Sequence, residues 1–184
     1  MPLFHRKGFG HTSLKDIEQA TGLHPGSIYK AYGSKEALFL AAVRAYNDQV
    51  VTRRVRAFLH EVADRLGGIH DFFTSTLDAP DDPNPGCLLT NTAIESFVLD
   101  LDIHGDVAAG LERVEASLRH ALERVRAAAQ LTSSTPVEDV AAQLLALYQG
   151  VLVLIRFGTP RAKLTAVIDQ AVPAITRPQR PHRR

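Results

Sequence analysis

Apolar residues recur every three or four positions along almost the whole chain, which is the spacing of one face of an α-helix. The clearest stripe runs from Val107 through Leu118 to Val125. A longer one, from Ser34 to about Leu66, predicts a rod that joins two bodies. Glycine and proline break the pattern often before residue 34 and more rarely afterwards. No run alternates apolar and polar residues for long enough to predict a β-sheet. The pattern therefore predicts an all-α fold with short helices first and long helices later.

One helix predicted near the C-terminus, over residues 137–157, is apolar around most of its circumference. Such a helix must be covered on most sides, and the rest of this chain supplies too few helices to surround it. We therefore expect it to join the next helix, from Pro160 to about Thr176, in a four-helix interface with a second copy of the chain. The alternative is a monomer with a central core helix. The most apolar run, Leu144 to Ile155, is shorter than the about 20 residues that span a bilayer, so no membrane contact is expected.

Charge is unevenly distributed, although the net charge of the 184-residue chain is only +1. Residues 1–48 carry six basic and four acidic side chains, and residues 49–176 carry 11 basic and 16 acidic ones. A mildly basic head on an acidic body suggests that the head is the part that meets a polyanion. The tail, RPQRPHRR over 177–184, is rich in proline and arginine and is expected to be disordered.

Candidate chemistry for catalysis is sparse. The eight histidines form no HxxxH or HExxH pair, and Cys87 is the single cysteine. A redox role for Cys87 would need a depressed thiol pKa, whereas Leu88 and Leu89 beside it favour burial. We therefore expect no enzyme activity, no catalytic residue, no metal and no cofactor. The lone cysteine and the lack of a signal peptide in the N-terminal MPLFHRKGF indicate a cytoplasmic protein.

Stop and start signals before residue 34 predict two short helices joined by a turn. Ser13 can cap the first helix, with Asp16 three residues later in the place of a capping-box acid. Gly22 allows the left-handed turn that ends this helix, and Pro25 suits the first position of the next. Leu23, within the turn, is expected to point into the core. Two helices joined in this way form a helix-turn-helix, whose second helix enters the DNA major groove.

The second helix has a polar outer face. Ile28 is expected to point to the core, and Gly26 leaves the first turn without bulk, so the backbone can approach DNA closely. A third helix begins after the cap Ser34, and Lys35 stands in its first turn. The helix dipole disfavours a cation there, and a bound phosphate would remove that conflict.

The segment TSLKDIEQATGLHPGSIYKAYGSKEALF resembles the DNA-binding segment of the tetracycline-repressor (TetR) family, and the likeness covers about Leu3 to Ala45. In the body, the stretch over 86–89 resembles one subgroup. The resemblance implies an all-α homodimer, most often a repressor, that binds a palindromic double-stranded DNA operator. It also implies a body that holds a small-molecule effector, which loosens DNA binding. The implied division is a DNA-binding head over 1–45, a ligand-binding and dimerisation body over 46–176, and the tail over 177–184.

The first helix departs from the family pattern. In the family it is usually longer than Met1 to Lys7 allows, so the head is expected to lack part of its core. His24 also replaces the serine that usually caps the second helix of the motif. The short first helix leaves an alternative function open, a dimeric helical ligand-binding or interaction module that has lost DNA binding through this shortening.

Two sets of site residues follow from the motif and from polar positions in the body. Thr12, Tyr29, Tyr32 and Lys35 are expected to contact DNA phosphates. Gly26, Ser27 and Lys30 are expected to lie nearest the bases. The full set for DNA binding is Thr12, Ser13, Pro25, Gly26, Ser27, Tyr29, Lys30, Tyr32 and Lys35. The candidates for an effector pocket are His70, Asn91, Glu95, His104, Tyr148 and Gln149, of which Tyr148 and Gln149 interrupt an apolar helix.

Overall fold

The computed structural model of the chain describes residues 1–78, 86–99, 103–128 and 135–176, and the regular structure in these ranges is entirely helical. The prediction of an all-α fold is confirmed, with short helices first and long ones later. The predicted disordered tail over 177–184 lies outside the described residues. The helices are α1 (Pro2–Lys7), α2 (Leu14–Thr21), α3 (Pro25–Tyr32), α4 (Lys35–Tyr46), α5 (Thr52–Val55), α6 (Arg65–Thr74), α7 (Leu88–Leu99), α8 (His104–Ala127), α9 (Val137–Arg156) and α10 (Arg161–Thr176).

A nearly continuous helical rod joins the two parts of the molecule. It begins with α4, passes through a π-helical stretch over Asn47–Val51 into α5, and ends in a second π-helical stretch over Arg56–His60. The prediction that the rod reaches Leu66 was therefore wrong at its C-terminal end. The Asp64 side chain accepts a hydrogen bond from the Gly67 backbone N–H at 3.0 Å and starts α6 as a separate helix.

The head is built on the first half of α4. The core of this head is small and aromatic: Phe39 contacts Phe4 edge-on with ring centroids 5.0 Å apart and lies 5.1 Å from Phe9. Ile17 from α2 and Ile28 from α3 complete it, each at most 4% exposed. Three short helices thus depend on few buried side chains, and the prediction that Ile28 points inward is confirmed.

An apolar groove lies beside the six-residue α1. It has a volume of about 290 Å³, and Leu3, Ala20, Leu23 and Tyr32 are among the residues that line it. Leu23 is 50% exposed on the rim of this groove, so the prediction that it points into the core was wrong. The short α1 covers one side of the groove and leaves the outer side of Leu23 in solvent.

The body is a layered helical bundle centred on α8 and α9. α9 packs against both α8 and α10, α6 packs against α8 and α10, and α7 packs against α8 and α9. Leu118 and Leu122 of α8 and Leu144 of α9 are completely buried. At 20 residues, α9 is longer than the apolar run that suggested it, and by length and composition it is long enough to cross a membrane. Because one full face of α9 is packed inside this bundle, we assign it to the core of the body.

The opposite face of α9 is apolar and open in a single chain. Val153, Leu154 and Phe157 are 41%, 39% and 85% exposed, and Ala146 and Gly150 lie on the same exposed face. A row of uncovered apolar side chains on a core helix is typical of a protein–protein interface. α9 is the helix that the sequence pattern assigned to an interface with a second copy of the chain.

Candidate nucleic-acid interface

A complete capping box fixes the start of α2. The Ser13 Oγ accepts a hydrogen bond from the Asp16 backbone N–H at 3.1 Å, and the Asp16 carboxylate accepts one from the Ser13 backbone N–H at 2.8 Å. The Lys7 Nζ donates a further hydrogen bond to Asp16 at 2.7 Å. The Lys7 hydrogen bond first, and then the bonds from Ser13, hold the pKa of the Asp16 carboxyl far below its usual range. The predicted capping box is confirmed, and the Lys7–Asp16 hydrogen bond ties α1 to the start of α2.

The turn between α2 and α3 has the predicted stop and start signals. Gly22 has a φ of +70°, in the left-handed region, and its N–H bonds to the Glu18 carbonyl at 2.8 Å. His24 occupies the cap of α3, where its Nδ1 accepts from the Gly26 N–H at 3.3 Å, and Pro25 is the first helical residue. The departure at His24 therefore preserves the cap.

The outer face of α3 is polar and open. Ser27, Tyr29, Lys30 and Tyr32 are all exposed, Tyr29 by 49% and Tyr32 by 44%. A Cβ built on Gly26 would meet only the His24 ring, at 3.7 Å, so the helix start is unobstructed. This is the arrangement in which a short recognition helix can enter a groove with its first turn forward.

Lys35 lies at the start of α4, half-buried against the head. Its Nζ stands 4.1 Å from the centre of the Phe9 ring, a cation–π contact. Ser34 caps the same helix by accepting from the Ala37 N–H at 3.1 Å. The first turn of α4 thus carries a lysine at a helix N-terminus, where backbone N–H groups also favour an anion, and this is a favourable combination for a phosphate.

Thr12 differs from its predicted role. It is 1% exposed, and its hydroxyl donates a hydrogen bond to the Gly8 carbonyl at 2.6 Å. The hydroxyl is thus used inside the head and is closed off from solvent. Thr12 holds the link between α1 and α2, and we remove it from the phosphate contacts.

Glu95, Arg156 and Arg44 make polar contacts between the head and the body, and those of Glu95 and Arg156 use backbone groups of the head. The Glu95 carboxylate on α7 accepts from the Phe9 N–H at 3.0 Å, and the Arg156 guanidinium at the end of α9 donates to the Arg6 carbonyl at 2.7 Å. The Arg44 side chain pairs with Asp106 at 3.0 Å. Glu95 was predicted to lie in an effector pocket, so that prediction is corrected: the side chain lies at the head–body junction.

The other predicted pocket residues are scattered. His70 bonds to Asp169 at 2.7 Å on the surface, and His104 is exposed at the start of α8. Asn91 is half-buried on α7. Tyr148 and Gln149 line a common cavity, an internal chamber of about 20 Å³ between the rod and α9. The sequence could not show which polar residues the bundle would bring together.

The chamber contains residues that the sequence analysis missed. Tyr46 and Arg54 from the rod line it, together with Phe72 from α6. Burial, followed by the neighbouring Cys87, raises the pKa of Tyr46, and burial raises that of Tyr148, so both phenols remain protonated donors. The signal that could have identified Arg54 is its position, a charge three residues after the buried Val51.

Two family models match the chain. The model for bacterial regulatory proteins of the tetR family matches residues 1–42, and the model for the tetracyclin repressor-like C-terminal domain matches residues 62–178.

Individual proteins similar to this chain are transcriptional regulators as well. The chain is 29% identical to the uncharacterized HTH-type transcriptional regulator YezE of Bacillus subtilis, over 91% of this chain and 84% of that protein. It is 28% identical to the HTH-type transcriptional repressor ComR of Escherichia coli, over 91% of this chain and 80% of that one. Among solved structures, the TetR family regulator CifR in complex with 26-bp operator DNA superposes with a TM-score of 0.79. Its sequence is 25% identical, and the match covers 94% of this chain and 90% of the other.

Proposed function

Because this chain belongs to the tetracycline-repressor family of bacterial transcriptional regulators, we propose that it represses transcription from a palindromic operator and is released by a small molecule. The protein is a DNA-binding transcription regulator. The observation that carries the proposal is the open polar face of α3, which begins at the unobstructed Gly26 and rests on the buried Ile28. A recognition helix needs this combination of a bare first turn and an anchored inner side.

We assign the contacts by chemistry and exposure. Gly26, Ser27 and Lys30 face the base edges, where a lysine can donate to guanine acceptors and a serine to either kind of base. Tyr29, Tyr32 and Lys35 bind phosphates, and Ser13 and Pro25 fix the helix starts beside them. Phosphate contacts set the position of the head, and base contacts set the sequence that it prefers.

The regulator acts as a homodimer. The open apolar face of α9, which includes Leu154, pairs with its symmetry mate, and α10 flanks it. Two heads held about one helical turn of DNA apart can then read the two halves of a palindrome. A ligand in the body that moves the rod against α7 and α9 would change this separation and lower the affinity for the operator.

We further propose that the protein works by binding alone, without enzyme activity, and that it acts in the cytoplasm, where the chromosome lies. The boundary between head and body falls in the rod near residue 45, just before its first π-helical stretch. The shortened-head alternative predicts a dimer that binds ligands but has no preferred DNA sequence.

Selection of binding sites from random duplex DNA tests the proposal. The wild-type chain should enrich a palindrome with half-sites about one helical turn apart. On that site, Lys30→Ala should weaken binding about tenfold and relax the preference for one base pair in each half-site.

The matched control is Arg119→Ala, which removes an exposed cation from α8 of the body. This variant should bind the selected site with wild-type affinity and base-pair preference. Failure of the wild-type chain to enrich any sequence would establish the shortened-head alternative, and equal losses in the Lys30 and Arg119 variants would refute the assigned interface.

A further inference from the structure

A cleft opens at the junction of head and body. It has a volume of about 310 Å³ and lies between α1, the rod and the end of α6. Pro2 and His5 of α1 line one side, and Ser75 and Thr76 line another. Tyr46, Val50 and Arg54 line both this cleft and the internal chamber. The chamber holds about one water molecule, so a larger ligand would sit in the cleft with one end against Arg54.

Arg54 is a partly buried cation whose hydrogen-bonding capacity is incompletely used. Its Nη2 donates to the Phe72 carbonyl and to the Ser75 Oγ, each at 2.9 Å. Its Nε is buried and has no hydrogen-bond partner among the described residues. A buried guanidinium N–H without an acceptor raises the free energy of the folded protein. A ligand that supplies the acceptor would remove this penalty and gain binding free energy.

The described residues that line the cleft and the chamber supply no free counter-charge for Arg54. Asp78 is the one carboxylate among the described residues that line the cleft or the chamber, and the Arg161 guanidinium holds it at 2.6 Å. The Arg54 guanidinium instead lies over aromatic rings, 5.3 Å from the centre of Phe72 and 6.0 Å from that of Tyr148. Aromatic faces attract a cation but do not neutralise it. The cleft therefore favours a ligand with a negatively charged group.

The chamber beside Arg54 is lined mostly by apolar and aromatic side chains, and the cleft adds the apolar Met1 and Pro2 to its polar groups His5, Ser75 and Thr76. Phe72 and Tyr148 stack with centroids 4.8 Å apart, and Val50 and Leu89 border them. The phenols of Tyr46 and Tyr148 are protonated, so they can donate to an oxygen anion but cannot attract a cation by charge.

We propose that this cleft binds a small carboxylate with an aromatic or other apolar body, and that the carboxylate accepts a hydrogen bond from the unpaired Nε–H of Arg54. A charge-assisted hydrogen bond to a guanidinium is about twice as strong as a neutral one. The proposal rests on the function proposed above, since it names the chemical class of the molecule that loosens DNA binding. The bound molecule would touch α1 of the head and the rod together, which links its arrival to the position of the recognition helix.

Calorimetric titration with a matched pair of probes tests the site. The probes are 1-naphthoate and 1-naphthamide, which share one ring system and differ in charge. The wild-type chain at neutral pH should bind the carboxylate at least about tenfold more tightly than the amide. Arg54→Met should abolish that preference. The control Arg53→Met removes an exposed guanidinium from the adjacent position and should retain it.

Arg54→Lys provides a variant that keeps the positive charge, in case the methionine disturbs the packing of α6. It should keep part of the preference for the carboxylate. Equal affinities of the two probes for the wild-type chain would overturn the proposal. So would a preference that survives in Arg54→Met, or no binding of 1-naphthoate up to about 5 mM.

A separate measurement distinguishes this site from the proposed function. The affinity for the selected DNA is measured with and without saturating 1-naphthoate. A charge preference that depends on Arg54, combined with unchanged DNA binding, would support the carboxylate site and refute release of the operator through it. If the free protein showed no sequence-specific DNA binding, the proposed repression from an operator would be refuted. The probe titration would still decide whether the carboxylate site exists.

Discussion

The head and the body of this regulator are held together by different means. In the head, α2 and α3 have eight residues each, and their ends are fixed by Ser13, Gly22 and His24. In the body, α8 and α9 have 24 and 20 residues, and continuous rows of buried leucine and valine fix their positions. The head thus depends on local hydrogen bonds and the body on long-range packing, so each part has its own way of failing.

This difference explains why the two regions suit their functions. A head with few buried side chains can present most of its surface to DNA, and its caps keep short helices in place. A body with a large core can leave one face of α9 open for a partner and still remain folded. Changes in the body should therefore act on both heads at once, whereas changes in the caps should act locally.

The largest effect is expected from a charge on the open face of α9. Leu154→Asp would place a carboxylate in the proposed dimer interface and prevent association, because an unpaired buried charge is very costly. We expect a monomer in sedimentation experiments and a loss of at least about 100-fold in affinity for the palindrome. Ala63→Asp, an exposed control outside the helices, should remain dimeric. If the Leu154→Asp protein were still dimeric, the dimer interface would have to lie on another surface than this face of α9.

The next effect concerns the packing of the rod on α8. A Cβ built on Gly110 would lie 2.2 Å from Asn47 Oδ1 and 2.4 Å from Leu89 Cδ1. Gly110→Ala should therefore lower the free energy of unfolding by about 2 kcal/mol in urea titrations. In the same helix, a Cβ on Gly105 would meet nothing within 4 Å, so Gly105→Ala should leave stability equal or higher. Equal stabilities of both variants would contradict this account of the contact.

A smaller effect is expected at the junction itself. Glu95→Ala would remove the acceptor of the Phe9 N–H while leaving the cores of head and body intact. We expect hydrogen exchange at the Phe9 amide to rise about tenfold, with little change in the melting temperature of the body. Glu112→Ala, at an exposed position of α8, is the control and should leave this amide protected. Unchanged exchange in Glu95→Ala would show that other contacts hold the head.

The smallest effect is expected from a cap. Ser13→Ala should destabilise α2 by about 1 kcal/mol, seen as faster exchange in the head alone.

A pH dependence is expected at Asp16. Because the pKa of Asp16 is depressed in the folded head, the stabilisation from Asp16 is present at neutral pH. It is lost as the pH falls below the ordinary aspartate value of about 4 towards the depressed one. Asp16→Asn should therefore resemble the wild type more closely in acid than at neutral pH. An equal difference at both would argue against the ion pair.

The sequence predicted the head well because its signals are local. Ser13 with Asp16, Gly22 and Pro25 each act within a few residues, and the predicted capping box is present in the structure. Prediction failed where a partner from another helix decided the outcome. The burial of Thr12, the exposure of Leu23 and the position of Glu95 at the junction all depend on such tertiary contacts.

The body shows the same limit. Periodicity predicted α8, α9 and α10 to within a few residues because each has its own apolar stripe. It could not predict which polar residues would share a cavity, so Arg54 and Tyr46 were missed while His70 and His104 were chosen. A single chain has no pattern that places residue 54 next to residue 72, because that contact arises only when the rod and α6 pack together.

The contacts of Glu95 and Arg156 have a practical consequence for protein engineering. Both side chains bind main-chain atoms, the Phe9 N–H and the Arg6 carbonyl, which every non-proline residue would supply at those places. Residue identity matters at Gly8, whose φ of +74° and closeness to the Glu95 carboxylate favour glycine, and at Arg44, whose side chain pairs with Asp106. Heads from other regulators that keep this glycine and this arginine could be grafted onto the same sensory domain, so that one chemical input commands a different set of genes.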